Sequence, residues 1–381
     1  MDFSDTHEQA EFRAEAAAWL DRIAGQFAPV TDAGEREAQS RDWQEALYQG
    51  GWLGLAWPVA YGGRGLPPLH EAIFNEECAR RRTPLPVNVI GLLLAGPTII
   101  AHGSEAQKTH YLPRILSAED IWCQGFSEPG NGSDLAGLRT CAERVAGGFR
   151  VSGEKVWTSW GHLANKCLLL ARTSQGESKH HGISYFLADT GDFDIRPLRM
   201  VNGDAEFNQM FIDDVFVAED RLLGELDRGW QVAMTTLGVE RTSVAFNLQV
   251  WARQALDGLA ALAVEQGLDR DSAVLDRLGA FEAEVEAIRI STMRTTSAMA
   301  AGQTPGAESS TVKLQWARVV QDVSRFALEL GGERLLLARG EEGRHWRQLY
   351  LRARGHSIEG GTDEIQKSII AERVLGLPRT R

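Results

Sequence analysis

The sequence predicts an α+β chain in three regions: an N-terminal all-α domain (residues 1–118), a middle antiparallel β domain (119–224) and a C-terminal helical bundle (225–381). Three observations predict it. Apolar residues recur at three- and four-residue spacing up to about Leu116. Short alternating runs such as FRVSGEKVW and KHHGISYFLAD, separated by Gly, Asp, Asn and Ser, then take over. From Trp230 onward, long stretches rich in Ala, Leu, Glu and Arg return to helical spacing. Helices, then strands, then helices, without alternating βαβ units, point away from a doubly wound sheet.

The first region opens on MDFSDTHEQAEFRAEAAAWL, which reads as an amphipathic helix with Phe12, Ala16, Trp19 and Leu20 on one face. Its acidic residues make it unlike a secretory signal or a basic transit segment, so a cytoplasmic location is expected. Breaks at residues 58–65, 83–86 and 103–104 divide the helices that follow. The apolar run 87–101 is interrupted by Pro97 and is shorter than the ~20 residues a bilayer span needs, so it reads as a core helix with no membrane insertion. In the C-terminal region, breaks fall at 302–306 and at Gly331 and Gly332.

With 381 residues and 43% apolar content, the chain can bury more than one hydrophobic core. The net charge of −12 argues against nucleic acid or an anionic membrane as partner, because a phosphate surface repels a molecule of this sign. A phosphate-bearing ligand must therefore be held by local donors. Cys78, Cys123, Cys141 and Cys167 are dispersed and form no CxxC, which gives neither a zinc site nor a disulfide framework.

No GxGxxG opens a helix after a strand and no GxxxxGK[ST] occurs; Gly62, Gly63 and Gly65 lie in a Pro-rich loop and read as a turn. HExxH is absent, and the adjacent His180 and His181 would point to opposite faces, so no metal site is expected. The informative segment is QGFSEPGNGSD at residues 124–134, a strand that ends in a loop of small residues. Such a loop lets backbone amides approach an anionic or carbonyl-rich ligand, with Ser127 and Ser133 adding hydroxyls; an ordinary turn fits as well. Downstream, KVWTSW sets Trp157 and Trp160 around Thr158 and Ser159, which offers stacking surface and hydrogen bonds to a flat conjugated ring, or simply a packed β core. Near the end, Gly360 and Gly361 precede Thr362, whose hydroxyl can cap a helix with Asp363 and Glu364 in its first turn. The glycines would also let a cofactor or thioester approach that helix start.

Together these segments resemble the acyl-CoA dehydrogenase family, in order and through nearly the whole chain. The family pattern TEPxAGSD, then K-x-W-[IT]-[TS], then GTSEIQ-x-x-I is matched by SEPGNGSD, KVWTS and GTDEIQKSI. Further matches are EFRAEAAAWL, FNQMFIDDVFVAEDRLLGELDRGW and IIAERVLGLPR. The resemblance implies FAD between the β domain and the C-terminal bundle. Carried over by position, Gln124, Phe126, Ser127, Gly132 and Ser133 would line it, with Ser127 on its pyrimidine side and Ser133 near the pyrophosphate or the bound CoA. Trp157, Thr158 and Ser159 would flank the isoalloxazine, Thr362, Asp363 and Glu364 would contact the adenosine half, and Gly360 would adjoin the substrate.

The same resemblance implies loss of two hydrogens from an acyl-CoA, giving a trans-2-enoyl thioester, with electrons leaving through an electron-transfer flavoprotein. The α C–H is a weak acid, so the reaction needs a carboxylate shielded from water. Many relatives carry that base as the glutamate of an EGT triplet, but here Gly360 stands at that position and Glu359 falls one residue early. Other branches place the base at the start of the C-terminal bundle, and TTLGVERTSVAF offers Glu240 there, among Leu237, Val239, Val244 and Phe246. Arg241 matches a basic position near the CoA; a structural salt bridge is the alternative. A second departure is EQGLDRDSAV, where relatives carry an RxxFG that reaches a neighbouring subunit's FAD. Either Arg270 or Arg277 substitutes, or a different partner chain helps, so a homodimer, a homotetramer and a heterotetramer with a related subunit all stay open. Two further readings remain: a non-catalytic or half-site subunit, and an acyl-CoA oxidase or flavin monooxygenase of the same fold.

Overall fold

The computed structural model describes residues 5–27, 30, 33–300, 303, 306–337 and 340–378. Helices α1 (His7–Ile23), α2 (Ala33–Gln49), α3 (Pro68–Arg80), α4 (Gly96–His102) and α5 (Glu105–Leu116) come first. Strands β1 (Trp122–Gly125), β2 (Cys141–Val145), β3 (Gly148–Ser159), β4 (Lys166–Arg172), β5 (Ile183–Asp189), β6 (Asp194–Leu198) and β7 (Phe207–Ala218) follow. Helices α6 (Gly229–Glu265), α7 (Ser272–Ala300), α8 (Ser309–Leu337), α9 (Glu341–Arg352) and α10 (Asp363–Ile369) complete the order, so helices, sheet and helices follow one another as the periodicity predicts. The chain divides into two compact units, one of residues 1–31, 67–83 and 241–381, the other of residues 32–66 and 84–240.

The second unit holds the seven-stranded sheet, ordered β1-β4-β2-β3-β7-β6, with β5 paired to β4. The expectation of an antiparallel sheet needs correction at two pairs: β1 runs parallel to β4, in register from Trp122↔Lys166 to Gly125↔Leu169, and β2 meets β4 in parallel at Cys141↔Arg172. The chain reaches β1 from α5 rather than through a hairpin, and a long connection permits parallel pairing. Both faces of this sheet region are apolar. Trp122, Phe126, Leu168, Leu170, Tyr185 and Leu187 face a core completed by Leu94, Ile99, Leu112, Ile115 and Val232, whereas Cys123, Cys167, Leu169, Phe186 and Met210 belong to a core on the other side.

The run 87–101 forms the core helix expected of it, with a wider turn inside. Residues 91–95 are a π segment, closed by Gly96 N–H donating to Gly91 O, and α4 continues from it with Pro97 in its first turn. Proline has no N–H to give to the preceding turn, and the π segment absorbs the mismatch. In the turn 58–65, a Cβ on Gly63 would lie 2.2 Å from Trp57 O, so only glycine fits there.

The first unit is helical and packs around Leu256, Leu259, Phe281, Ile288, Trp316, Val320 and Ala327. Within it Glu77, only 3% exposed, accepts from Arg13 at 3.0 Å, Arg80 at 2.8 Å and Arg81 at 2.7 Å, which ties α3 to α1. The break expected at Gly331 and Gly332 is a kink inside α8, where Gly332 takes φ 50° and ψ −140°. Of the break at 302–306, residues 303 and 306 are described and the rest lie outside the described residues. Among the described residues no helix is long and apolar enough to cross a membrane, and no cluster of His, Cys, Asp or Glu could hold a metal ion.

Candidate active site

The loop after β1 is fastened at its root by a buried ion pair. Lys155 Nζ, with no exposed side-chain surface, donates to Glu128 Oε1 at 2.9 Å and to Phe126 O at 3.2 Å. The Glu128 carboxylate also accepts from Arg139 N (2.6 Å), Thr140 N (2.8 Å) and Thr140 Oγ1 (2.6 Å). Burial pushes this carboxyl up, but the Lys155 charge and the Thr140 and Arg139 donors outweigh it and hold the group below the ordinary carboxylate range. The backbone repeats the tie, with Val156 N donating to Ser127 O at 2.9 Å, and Glu128 and Asn131 exchange two bonds across the turn, at 3.1 and 2.9 Å. Beyond this root the loop is open: Gly132 and Ser133 are exposed, and a Cβ on Gly130 or Gly132 would meet nothing within 4 Å. A ligand can therefore reach this backbone.

β3 continues from the clamp into an irregular stretch. The β3–β7 register shifts between Lys155 and Thr158, and Trp157 and Trp160 adopt φ of 61° and 50°. Bulky residues enter this left-handed region at a cost, and such outliers gather at functional sites. Trp157 is 61% exposed and stands edge-on to Phe207, with centroids 6.1 Å apart; Ser159 is the register partner of Phe207. Trp157, Ser159 and Phe207 thus share one face. Thr158 pairs with Asn208 on the opposite face and is buried, with its Oγ1 lacking a partner. The pleat turns the Thr158 side chain away from those of Trp157 and Ser159. On β1, Gln124 lies between Trp122 and Phe126 on the same sheet face, and its Nε2 is buried without a hydrogen-bond partner.

In the other unit, Gly360 and Gly361 take φ of 61° and 93° and lead into Thr362, whose hydroxyl accepts from Ile365 N at 3.3 Å as the cap of α10. Gln366 Nε2 donates to Gly360 O at 2.9 Å and Lys313 Nζ to Gly361 O at 2.8 Å, which fixes the turn. Gln366 is 2% exposed and its Oε1 has no partner. Asp363 lies 3.7 Å from Lys313 Nζ, and Glu364 sits beside it in the first turn.

Glu359 is held fast. Its carboxylate accepts from Arg352 at 2.7 and 3.1 Å and contacts His356 Nδ1 at 2.7 Å. Burial raises its pKa, but the His356 and Arg352 contacts prevail and bring it to about 2, which makes it a poor proton acceptor. Glu240 and Arg241 lie within α6, but their side chains fall outside the described residues. Of the replacements considered for the missing arginine, Arg277 is stacked over Phe281 at 5.0 Å and Phe326 at 5.3 Å.

The structure thus gathers Gln124, Phe126, Ser127, Gly132 and Ser133 with Trp157 and Ser159 in one unit, and Gly360, Thr362, Asp363 and Glu364 in the other. Sequence reasoning passed over the Glu128–Lys155 clamp and the role of Phe207. The clamp had no local signal in the sequence, since Glu128 stands in a polar loop and Lys155 follows Glu154 in β3.

Comparison with known proteins bears on the whole chain. Family models match in order: acyl-CoA dehydrogenase N-terminal domain at residues 6–119, middle domain at 123–215 and C-terminal domain at 227–375. Acyl-CoA dehydrogenase IpdE1 of Mycobacterium tuberculosis is 40% identical, with 97% of this chain and 98% of that protein covered. Among solved structures, the Tcur3481–Tcur3483 steroid ACAD superposes with a TM-score of 0.87 at 28% identity, each chain covered completely. The ChsE4–ChsE5 complex from Mycobacterium tuberculosis gives 0.85 at 28% identity, again with complete coverage of both chains.

Proposed function

Because the chain belongs to the acyl-CoA dehydrogenase family, we propose that it converts an acyl-CoA thioester to the trans-2-enoyl-CoA, with Glu240 as the base that takes the α proton. The observation that carries the choice of base is the state of Glu359: locked to Arg352 and His356 with its pKa at about 2, it is not free to accept a proton. The family's cofactor is FAD, which when bound supplies the acceptor for the β hydrogen as hydride. The residues present fit it: an open small-residue loop, an exposed Trp157 beside Ser159, and two buried amide atoms without partners, Gln124 Nε2 and Gln366 Oε1. Gln124, Phe126, Ser127, Gly132, Ser133, Trp157 and Ser159 would hold it, Thr158 with its backbone only, and Thr362, Asp363 and Glu364 would hold the adenosine half. Ser133, Arg241 and Gly360 would bind the acyl-CoA.

The likeness to a steroid ACAD supports a ring-bearing acyl group as substrate. The likeness to the ChsE4–ChsE5 complex, with the missing RxxFG arginine, supports assembly with a related subunit. Electrons would pass to an electron-transfer flavoprotein in the cytoplasm. The test is anaerobic flavin bleaching by a panel of straight, branched and steroid-bearing acyl-CoA thioesters. Glu240→Gln should keep its flavin and lose at least about a thousandfold in dehydrogenation, the scale expected when a general base is removed. Bleaching at wild-type rate in that variant would end the assignment.

A further inference from the structure

We propose that Thr236 is a positioning residue for proton abstraction, the hub of a dry hydroxyl chain that fixes the turn of α6 leading into Glu240. This rests on the reading of Glu240 as the base. Thr236 Oγ1 lies 3.0 Å from Thr98 Oγ1 and 3.1 Å from Tyr185 Oη, and Thr98 Oγ1 lies 2.7 Å from Leu94 O. None of the three side chains has exposed surface. A carbonyl can only accept, so Thr98 donates to Leu94 O; the Thr236 hydroxyl donates to Thr98 Oγ1 or, at 3.2 Å, to Val232 O one turn back in its own helix, and accepts from Tyr185. The chain ends inside the π segment 91–95, on the carbonyl of Leu94. Burial pushes the Tyr185 phenol up, so it remains a donor at any working pH.

A second tie lies alongside, between Thr235 Oγ1 and His102 Nε2 at 2.8 Å. Two adjacent threonines of α6 thus grip two residues of α4 one turn apart, Thr98 and His102. Tyr185 also stands edge-on to Phe126, centroids 5.7 Å apart, where β1 gives way to the ligand loop. Apolar side chains of the same shape would hold this core without the desolvation that three hydroxyls require. What hydroxyls add is direction: they set the rotation and height of the helix, which apolar contacts set only loosely. The hub is one helical turn before Glu240, where a displacement of about 1 Å can cost a hundredfold in rate.

The experiment uses full-length holoenzyme with Thr236→Val, Thr236→Ser, Tyr185→Phe and Glu240→Gln. The probe is whichever of butyryl-CoA, octanoyl-CoA and a steroid side-chain acyl-CoA bleaches the wild-type flavin fastest. Exchange of its α hydrogen with D2O reports proton abstraction alone, and kcat, KM, flavin content and Tm are read in parallel. Thr236→Val should lower exchange and kcat by about tenfold with KM and flavin content within about twofold, the split expected when a reacting group is misplaced but binding is intact. Thr236→Ser should recover to within about threefold, and Tyr185→Phe should fall between. Should Thr236→Val not fold, the Tyr185→Phe and Thr236→Ser comparison carries the same split. Wild-type exchange in the Thr236 and Tyr185 variants, with exchange abolished in Glu240→Gln, would overturn the positioning role alone. Exchange surviving in Glu240→Gln would overturn the base assignment and this role with it.

Discussion

The Glu128–Lys155 clamp predicts an asymmetry between its two partners. Lys155 has no exposed surface, and Glu128 is its carboxylate partner. Glu128→Gln therefore leaves a buried ammonium without a counter-charge and turns an amide N–H2 toward the Arg139 or Thr140 donors, a loss of about 3–5 kcal/mol. Lys155→Met removes the bonds to Glu128 Oε1 and Phe126 O, but Glu128 keeps its bonds from Arg139 N, Thr140 N and Thr140 Oγ1, so the expected cost is smaller, about 2 kcal/mol. Once the ammonium is gone, neutralising Glu128 is less costly, and the double variant should be about 2 kcal/mol more stable than the sum of the singles implies. Urea unfolding of the four proteins measures this cycle, with flavin retention as the reading of loop integrity. The pH dependence has a definite sign. The Glu128 carboxyl is depressed from 4.5, so its contribution is full above about 4.5 and disappears as pH falls through the lower folded value; Glu128→Gln should flatten that acid limb. If Lys155→Met costs as much as Glu128→Gln, or the singles add, the clamp is not the unit described here.

Glu359→Gln should separate stability from catalysis. Its folded pKa of about 2 lies below the ordinary 4.5, so the stabilisation is present above 4.5 and lost as pH falls toward 2. Because the side chain is 32% exposed, solvent screening reduces the loss to about 1–2 kcal/mol at neutral pH, with kcat within about threefold of wild type. A kcat loss matching that of Glu240→Gln would instead make Glu359 a candidate for the base. Gly63→Ala forces a methyl to 2.2 Å from Trp57 O and should destabilise by about 2 kcal/mol or more, read as a fall in Tm. An unchanged Tm would mean the turn at 58–65 relaxes freely.

Periodicity made the order of helices, sheet and helices legible, because burial on one stripe or one face repeats along the chain itself. The parallel pairing of β1 with β4 was not legible, since it joins Trp122 to Lys166 and no local pattern names a partner that distant. The open loop after β1 was readable from its small residues and hydroxyls. The facing of Thr158 was not, because the register shift before it depends on a tryptophan at positive φ, where sequence offers none of the usual Gly or Asn signals. The charges of SEPG and KVW were visible as part of a fingerprint, yet their pairing across 27 residues appears only once the sheet is formed.

That pairing bears on how a family fingerprint is carried over to an individual chain. Two of its charged positions, Glu128 and Lys155, serve the fastening of the loop, while the positions left for a ligand are small or polar ones such as Gly132, Ser133 and Gln124. The C-terminal fingerprint behaves the same way. Where many relatives carry the glutamate of EGT, Gly360 and Gly361 both take positive φ, a conformation that costs an L-residue about 1–2 kcal/mol. The nearby carboxylate, Glu359, is fully engaged by Arg352 and His356. A glutamate restored at 360 would carry that cost at the turn that Gln366 and Lys313 now hold through the carbonyls of Gly360 and Gly361. A base supplied from α6, as proposed, would avoid it and leave this turn free for close approach of a ligand.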